Sequence, residues 1–387
     1  MSEPNLWLKP VSKYRVLGWK TSKKPCFNTI ETVFRSIRLL AGLPSIHVKR
    51  TSSPMAKATT IQDIAKLAGV SKSTVSRVMN KTTAVHPEKA AAVIKAAEQL
   101  GFAPNQFARS LASGRSMTVG VITQNLGSPF YDAIAQGVIA GLEGTGYSPI
   151  FADGRWDRVV EEDSIRSLQG RRADGILLIG GQLRGTDLKA LCGTLPRVTI
   201  ARHLPSVQHC CIYVDNVQGG FLATQHLIRH GHTKIAFIGG LHHHSDAKDR
   251  LAGYRKALAQ ANIRFTTKLV LEGDFSSSSG HAAVHTLLKS GQEFTAIFAA
   301  NDATAYGARL ALDQHGRRVP QDVSLVGYDN QAESAFMIPP LTTMHQPAHQ
   351  MGQAAATAVL EKIQGQPIKS RVFIPELRCR ESVATRT

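Results

Sequence analysis

Residues 71–80, SKSTVSRVMN, hold the side chains best suited to grip a polar edge. At helical spacing Ser73, Ser76 and Arg77 share one face, and Val75, Val78 and Met79 share the other. A guanidinium can donate two parallel hydrogen bonds to a guanine, and short hydroxyls beside it can reach bases or phosphates. Such a face needs a scaffold, and residues 59–70 supply one. Thr60 with Asp63 three residues on reads as a capping box. Ile61, Ile64, Ala65 and Ala68 repeat at helical spacing. Gly69 can take the left-handed turn that ends this helix, and Ser71 can cap the next. A helix, a tight turn and a second helix with a polar outer face suit a DNA major groove. A two-helix corner whose polar face is merely wet shows the same pattern. A third helix is expected over 87–100, opened by Pro87 and stopped by Gly101.

A second set of chemically capable residues lies farther along, at the ends of apolar runs. From Met117 the chain alternates strand candidates with helical stretches. The strands are 118–123, 175–179, 197–200, 234–240, 269–271, 296–300 and 323–329. Such alternation implies parallel sheets covered on both faces, with ligands beyond the carboxyl ends of the strands. Phe130 and Tyr131 follow the first strand and Arg202 the third. Arg250 opens a helix after 234–240, and Phe275 follows the short strand at 269–271. Asn301 and Asp302 follow 296–300, and Asp329 ends 323–329. Aromatic faces, arginine forks, carboxylates and an amide suit a polyol ring, and a nitrogen heterocycle could use much the same set. Each has a structural alternative: Asp302 could cap the helix at 302–315, Arg202 could form an internal ion pair, and Phe130 could be core.

Charge separates the two regions. Residues 1–57 carry 11 Lys/Arg against 2 Asp/Glu, residues 58–116 carry 8 against 3, and residues 117–387 carry 27 against 23. Basicity concentrated at the front supplies the salt-sensitive, sequence-independent part of DNA affinity. Five cysteines without a CxxC pair argue against a zinc site or disulfide framework and fit a reducing cytoplasm. No apolar run reaches membrane-spanning length, and no export signal is evident. Residues 1–57 read as a basic extension, either a disordered tail or a mis-assigned start, because Met55 stands just before the helical region.

The ordered segments together resemble the lactose/galactose repressor family of bacterial transcription regulators. They are IQDIAKLAGVSKSTVSRVMN, LGFAPNQFARSLASGRS, SPFYDAIAQGV, HLIRHGHTKIAFIGG, DRLAGYRKAL, AANDATAYGA, VPQDVSLVGYDN and PPLTTMHQP. The resemblance covers residues 58–387. It implies an all-α helix-turn-helix headpiece (58–104), a hinge helix and linker (105–116), and an α/β two-lobed core (117–387) of parallel doubly wound sheets, like a periplasmic binding protein. Lobe 1 would hold about 117–214 and 347–375; lobe 2 would hold about 215–346 and 376–387. By the same resemblance, Lys72, Ser73 and Arg77 read base edges, while Thr74, Ser76 and Asn80 contact phosphates. Ser71 would combine a cap with a phosphate contact. In 105–113, the hinge helix, Asn105, Ala108 and Leu111 would bind DNA: Ala108 and Ala112 permit close approach, and Leu111 wedges into the minor groove; packing of Leu111 on the protein is the alternative. Arg250, Asn301 and Asp329 would touch the effector, with Phe130, Tyr131 and Phe275 lining its cleft. Ala201 departs from the pattern, since relatives usually carry Asp or Asn there.

The expected partners are pseudo-palindromic operator DNA, a small effector (most simply a sugar) and a second copy of the chain. No cofactor, metal or membrane is implied. SDAKDRLAGYRKALAQ and RCRESVAT look more like galactose- and glucoside-responsive members than purine-responsive ones. A purine- or nucleoside-responsive repressor is the alternative, and a solute-binding protein without DNA function is the more distant one. No G-x-S-x-G, P-loop or zinc-protease motif points to an enzyme. His242, His243 and His244 are consecutive, and adjacent residues do not readily converge on one ion.

Overall fold

The computed structural model describes residues 59–80, 84–102, 114–205, 211–242 and 244–386. The chain divides into two compact units at residue 102. Asn105, Ala108, Leu111, His243 and residues 1–57 lie outside the described residues.

The first unit holds three helices, α1 (Ile61–Leu67), α2 (Lys72–Asn80) and α3 (Pro87–Gln99). Its core is one cluster: Ile64, Ala65, Val75, Val93, Ala96 and Ala97, flanked by half-buried Val78, Met79 and Phe102. Ile61 stays partly exposed, at the margin of the apolar stripe. Both directions of the Thr60–Asp63 capping box are made. At the far end of α1, Gly69 takes φ +63, and the Val70 amide reaches back to the Ala65 carbonyl at 3.1 Å. That left-handed residue turns α2 across α1.

The second unit contains two six-stranded sheets. Sheet one runs β11 (Arg371–Phe373), β5 (Cys211–Val214), β4 (Arg197–Ile200), β3 (Gly175–Ile179), β1 (Thr118–Thr123), β2 (Ser148–Asp153), with every pairing parallel. Sheet two runs β12 (Glu376–Arg378), β10 (Thr342–His345), β9 (Ser324–Asp329), β8 (Ala296–Ala299), β6 (Ile235–Ile238), β7 (Val270–Leu271). Only β12 runs antiparallel in it. The chain passes between the sheets after β5, after β10, and between β11 and β12. Helices α4 (Pro129–Leu142), α5 (Arg158–Gly170) and α6 (Gly185–Cys192) accompany sheet one; α7 (Asn216–Arg229), α8 (Ser245–Gln260), α9 (Ser277–Lys289) and α10 (Asp302–Gln314) accompany sheet two. Helix α11 (Ala348–Ile363) follows β10 but packs Met351, Ala355 and Val359 into the core of sheet one.

Central strands are apolar throughout, as sheets covered on both faces require; β3 is buried at all five positions. Three helix pairs approach closely at reciprocal glycines. A Cβ on Gly137 of α4 would lie 2.0 Å from the His349 carbonyl oxygen, and one on Gly352 of α11 2.1 Å from that of Ile134. Gly220 and Gly253 join α7 to α8 in the same way, and Gly280 and Gly307 join α9 to α10. No helix among the described residues is long and apolar enough to cross a membrane.

Candidate functional site

The first site is the outer face of α2. Val75 is fully buried, which fixes the helix rotation and leaves Lys72, Ser73 and Arg77 exposed. Ser76 is half-buried. Ser71 caps the helix: its Oγ accepts the Thr74 amide at 3.2 Å and lies 2.8 and 2.9 Å from the hydroxyls of Ser73 and Thr74. Three hydroxyls and the first-turn amides therefore cluster at the amino end of α2, beside the Lys72 position. Asn80 ends the helix.

The second site is a cleft between the lobes of the core. One cavity of about 280 Å³ is lined from sheet one by Trp156, Gly180, Gln182 and Arg202, and from the other lobe by His244 and Asp246. A second of about 210 Å³ adjoins it through Arg202, His203 and Asp246 and adds Asn216 and Asp249. An aromatic run crosses between lobes. Phe130 meets Tyr131 with ring centroids 5.4 Å apart, and Tyr131 meets Trp156 at 6.1 Å. Trp156 lies 4.0 Å from His244 of the opposite lobe, which lies 5.5 Å from Phe275. Tyr131 and Phe130 occupy the first turn of α4, so a strand-to-helix turn delivers both. Burial, with Asp246 and Asp329 opposite, raises the Tyr131 hydroxyl pKa far above its ordinary value.

Arg250 is held rigidly in this cleft. Its Nε donates to Asn216 Oδ1 at 2.9 Å, its Nη1 donates to the Ala300 carbonyl at 2.5 Å, and its Cζ lies 3.8 Å from the Tyr328 ring centroid. Asp329 accepts from Gln346 Nε2 at 2.6 Å. Burial pushes its carboxyl up to about 7, against the pull of Arg250. Asn301 caps α10 by accepting the Thr304 amide at 2.9 Å, and its Nδ2 donates to the Phe275 carbonyl at 2.9 Å, which ties the Phe275 loop to β8.

Two expectations need correction. Asp302 is fully buried and turned into lobe 2. It accepts from the Gln331 amide at 2.8 Å, Ser334 Oγ at 2.6 Å and Thr343 Oγ1 at 2.5 Å. It is neither a ligand group on the cleft wall nor the cap of α10; it anchors the loop after β9. Arg202 reaches the cleft wall, but its charge is directed inward. Glu161 Oε1 lies 3.8 Å away, and the guanidinium donates to the Gly180 and Leu183 carbonyls. Glu161 is fully buried, and that burial raises its pKa despite the amides of Gln182 and Leu183 and the charge of Arg202.

Sequence reasoning missed Trp156, Asp246, Asp249 and Asn216. These residues end no apolar run in the sequence, and three of them approach the site only because the chain crosses between sheets. One signal is conformational. Trp156, Ala201, Phe275 and Asp329 all have positive φ, at 52, 55, 67 and 111°. Left-handed backbone at non-glycine residues costs roughly 1–3 kcal/mol each and clusters at functional sites. His242 pairs with Glu272 at 2.8 Å, and no group of three His, Cys, Asp or Glu among the described residues is arranged to hold a metal ion.

Comparison with known proteins identifies both parts of the chain. Residues 60–105 match the model of the lacI family of bacterial regulatory proteins, and residues 224–383 match that of the periplasmic binding protein-like domain. The HTH-type transcriptional repressor PurR of Aliivibrio salmonicida is 37% identical over 329 residues, covering 84% of this chain and 98% of the relative. The regulator GalR of Escherichia coli K12 is 36% identical, covering 84% of this chain and 96% of its own length. Among solved structures, the lac repressor dimer bound to operator and an anti-inducer superposes with TM-score 0.78 at 30% identity over 85% of this chain and 100% of that one. The regulator CelR in complex with cellobiose gives TM-score 0.65 at 35% identity over 84% and 99%. With the relatives aligned over nearly their whole length, through headpiece and core alike, the chain belongs to the lacI family of bacterial regulatory proteins.

Proposed function

We propose that this protein is a homodimeric, cytoplasmic repressor of carbohydrate-utilisation genes whose grip on a pseudo-palindromic operator is set by a sugar or sugar-derived effector. The observation that carries this reading is one chain holding both an α2 face of exposed Lys72, Ser73 and Arg77 and an interlobe cleft walled by Trp156, Arg202, His244 and Asp246, with Arg250 buried behind it and Asp329 beside Phe130 in a neighbouring cavity. Arg77, Lys72 and Ser73 read base edges; Ser71, Thr74, Ser76 and Asn80 hold phosphates and fix register. In the core, Arg250 and Asp329 donate to and accept from effector hydroxyls, with Phe130, Tyr131 and Phe275 shaping the walls. Asn301 acts through its bond to the Phe275 loop. Effector and operator are coupled only if the effector binds the DNA-competent and DNA-free lobe arrangements with different affinities.

The dimer is served by an apolar patch on lobe 2. Phe336 and Ile338 are 84% and 85% exposed, and Leu310 of α10 is also exposed. Arg309 Nε donates to the Ile338 carbonyl at 3.2 Å, so loop and helix form one surface. Contiguous apolar exposure of this kind marks an interaction face.

The test is binding of the full chain to its genomic upstream duplex and to a scrambled duplex, across salt and with a panel of sugars and purines. Specific binding should weaken log-linearly with salt, and a sugar should change it at least tenfold. Equal affinity for both duplexes would refute the function. A response to purines alone would favour the purine-responsive reading, for which relatives such as PurR at 37% identity speak.

A further inference from the structure

Residues 114–118 carry the chain from the headpiece side into lobe 1, and one carboxylate holds that entry. Asp174 lies between α5 and β3, in a loop fixed by its own backbone. Arg172 takes φ +58 there, and the Ala173 amide donates to the Leu168 carbonyl at 3.1 Å. One carboxylate oxygen of Asp174 accepts the Ser116 amide at 3.0 Å, and the other accepts the Met117 amide at 2.8 Å. Asp174 also donates its own amide to the Thr118 carbonyl at 2.9 Å, and the Ser148 amide donates to the Met117 carbonyl at 2.9 Å. Two successive amides on the two oxygens of one carboxylate form a charge-assisted clamp. What the clamp holds is strained: Met117 has φ +56. A non-glycine residue keeps left-handed backbone only when its surroundings impose it. The Met117 side chain lies over Gly146, where an added Cβ would come within 3.2 Å of the Met117 Cε. Strand β1 begins one residue later and is fixed on both sides, by β2 and by β3. A change of φ at Met117 therefore leaves the sheet in place and redirects the chain that precedes it.

We propose that Asp174 is a positioning residue for operator binding: by holding Met117 in the left-handed region, it fixes the direction in which the chain leaves lobe 1 toward the DNA-reading headpiece. The proposal rests on the operator-binding reading above and deepens it. Each subunit of a dimer carries one clamp, and reading two half-sites at a set spacing requires both exits to be fixed. Sequence-independent binding to phosphates makes no such demand.

The test uses the full-length protein with its genomic upstream duplex and a scrambled duplex of equal length, well below the melting temperature. Asp174→Asn keeps the side-chain shape but sets an NH2 group against a backbone amide. Affinity for the upstream duplex should fall roughly tenfold or more, as the strained conformation loses its support. Affinity for the scrambled duplex and the sedimenting mass should stay unchanged. Adding Met117→Gly to that variant should recover roughly threefold or more of the loss, because glycine takes positive φ without a clamp. Met117→Ile leaves Asp174 intact but puts a β-branched residue where left-handed backbone is least tolerated. It should reproduce the fall, and it carries the test if Asp174→Asn does not fold; circular dichroism reports the fold of each variant. A carboxylate that only stabilised lobe 1 would lower the melting temperature and leave operator affinity alone. Folded variants that bind the upstream duplex as the native protein does, or a glycine that restores nothing, would therefore overturn the proposal. The unmodified protein, measured alongside, separates this failure from the larger one. If it prefers the upstream duplex, only the role of Asp174 is wrong; if it binds both duplexes equally, the repressor reading falls and the proposal with it.

Discussion

Arg77 is where sequence information enters the proposed complex. Its side chain is exposed on α2, while Val75 on the opposite face is fully buried and sets its direction. Truncation should remove a bidentate contact without disturbing the fold. Arg77→Ala should therefore weaken operator binding by roughly 1–3 kcal/mol and relax preference at one base position per half-site. Titration against single-base operator variants reads this directly; an unchanged preference profile would show that another residue reads that base. In the core, Asp329 makes a pH prediction. Burial first, then opposing Arg250, sets its pKa at about 7 against an ordinary 3.8. Between 3.8 and about 7 the folded chain binds more protons at this group than the unfolded chain does. Its contribution to stability is therefore full at low pH and is lost as pH rises through the folded value. Asp329→Asn removes that loss, so the variant's melting temperature relative to the native protein should climb from pH 5 to pH 8. A difference constant across that range would mean Asp329 titrates normally. Arg250 and Asp329 could be picked out in the sequence because each sits at a junction of periodic elements. Asp246 and Trp156 could not, because their meaning depends on the opposite lobe. Asp302 sits beside Asn301 at the same strand end, and only the side-chain direction, set by Ser334 and Thr343, tells the two apart.

Among the elements, those with one clear period were legible in the amino-acid sequence. Helices α1 and α2 and strands β1, β3, β8 and β9 follow from apolar spacing and glycine stops. Strand β2 did not, because Pro149 interrupts it and its edge position leaves it only partly buried. Strands β10, β11 and β12 are short and owe their pairing to partners distant in sequence. The glycines at the helix crossings were equally silent, since a glycine inside a helix reads only as a weak helix former. In the structure they set the packing distance. A Cβ on Gly307 would sit 1.7 Å from the Ser277 carbonyl oxygen, so alanine there must push α9 from α10. Gly307→Ala should destabilise the core by roughly 1–3 kcal/mol through overpacking. Gly170, the exposed last residue of α5, meets nothing within 4 Å. Gly170→Ala should instead stabilise by up to about 1 kcal/mol. Urea midpoints of the two variants should move in opposite directions; a common direction would show that helix propensity, not the crossing, governs both sites.

For the whole molecule, the question is how two headpieces come to act as one. A single headpiece presents one short reading helix, too small a surface for tight sequence-specific binding. Two headpieces joined through their cores bind two half-sites, and the second event becomes intramolecular. The apolar patch of Leu310, Phe336 and Ile338 offers the joining surface, because side chains this exposed are costly to leave in water. A two-fold axis through it would oppose the patch with itself, as an isologous interface requires. Replacing Phe336 and Ile338 together by glutamate places like charges against each other across that axis and buries them without partners. The double variant should sediment with the mass of a monomer. Its affinity for the full operator should fall by roughly 10²–10⁴ as avidity is lost. Its affinity for an isolated half-site should stay near that of the native protein, since α2 is untouched. A variant that remains dimeric would move the interface elsewhere on the core; a monomer that still holds the full operator tightly would mean the two headpieces bind independently of core association.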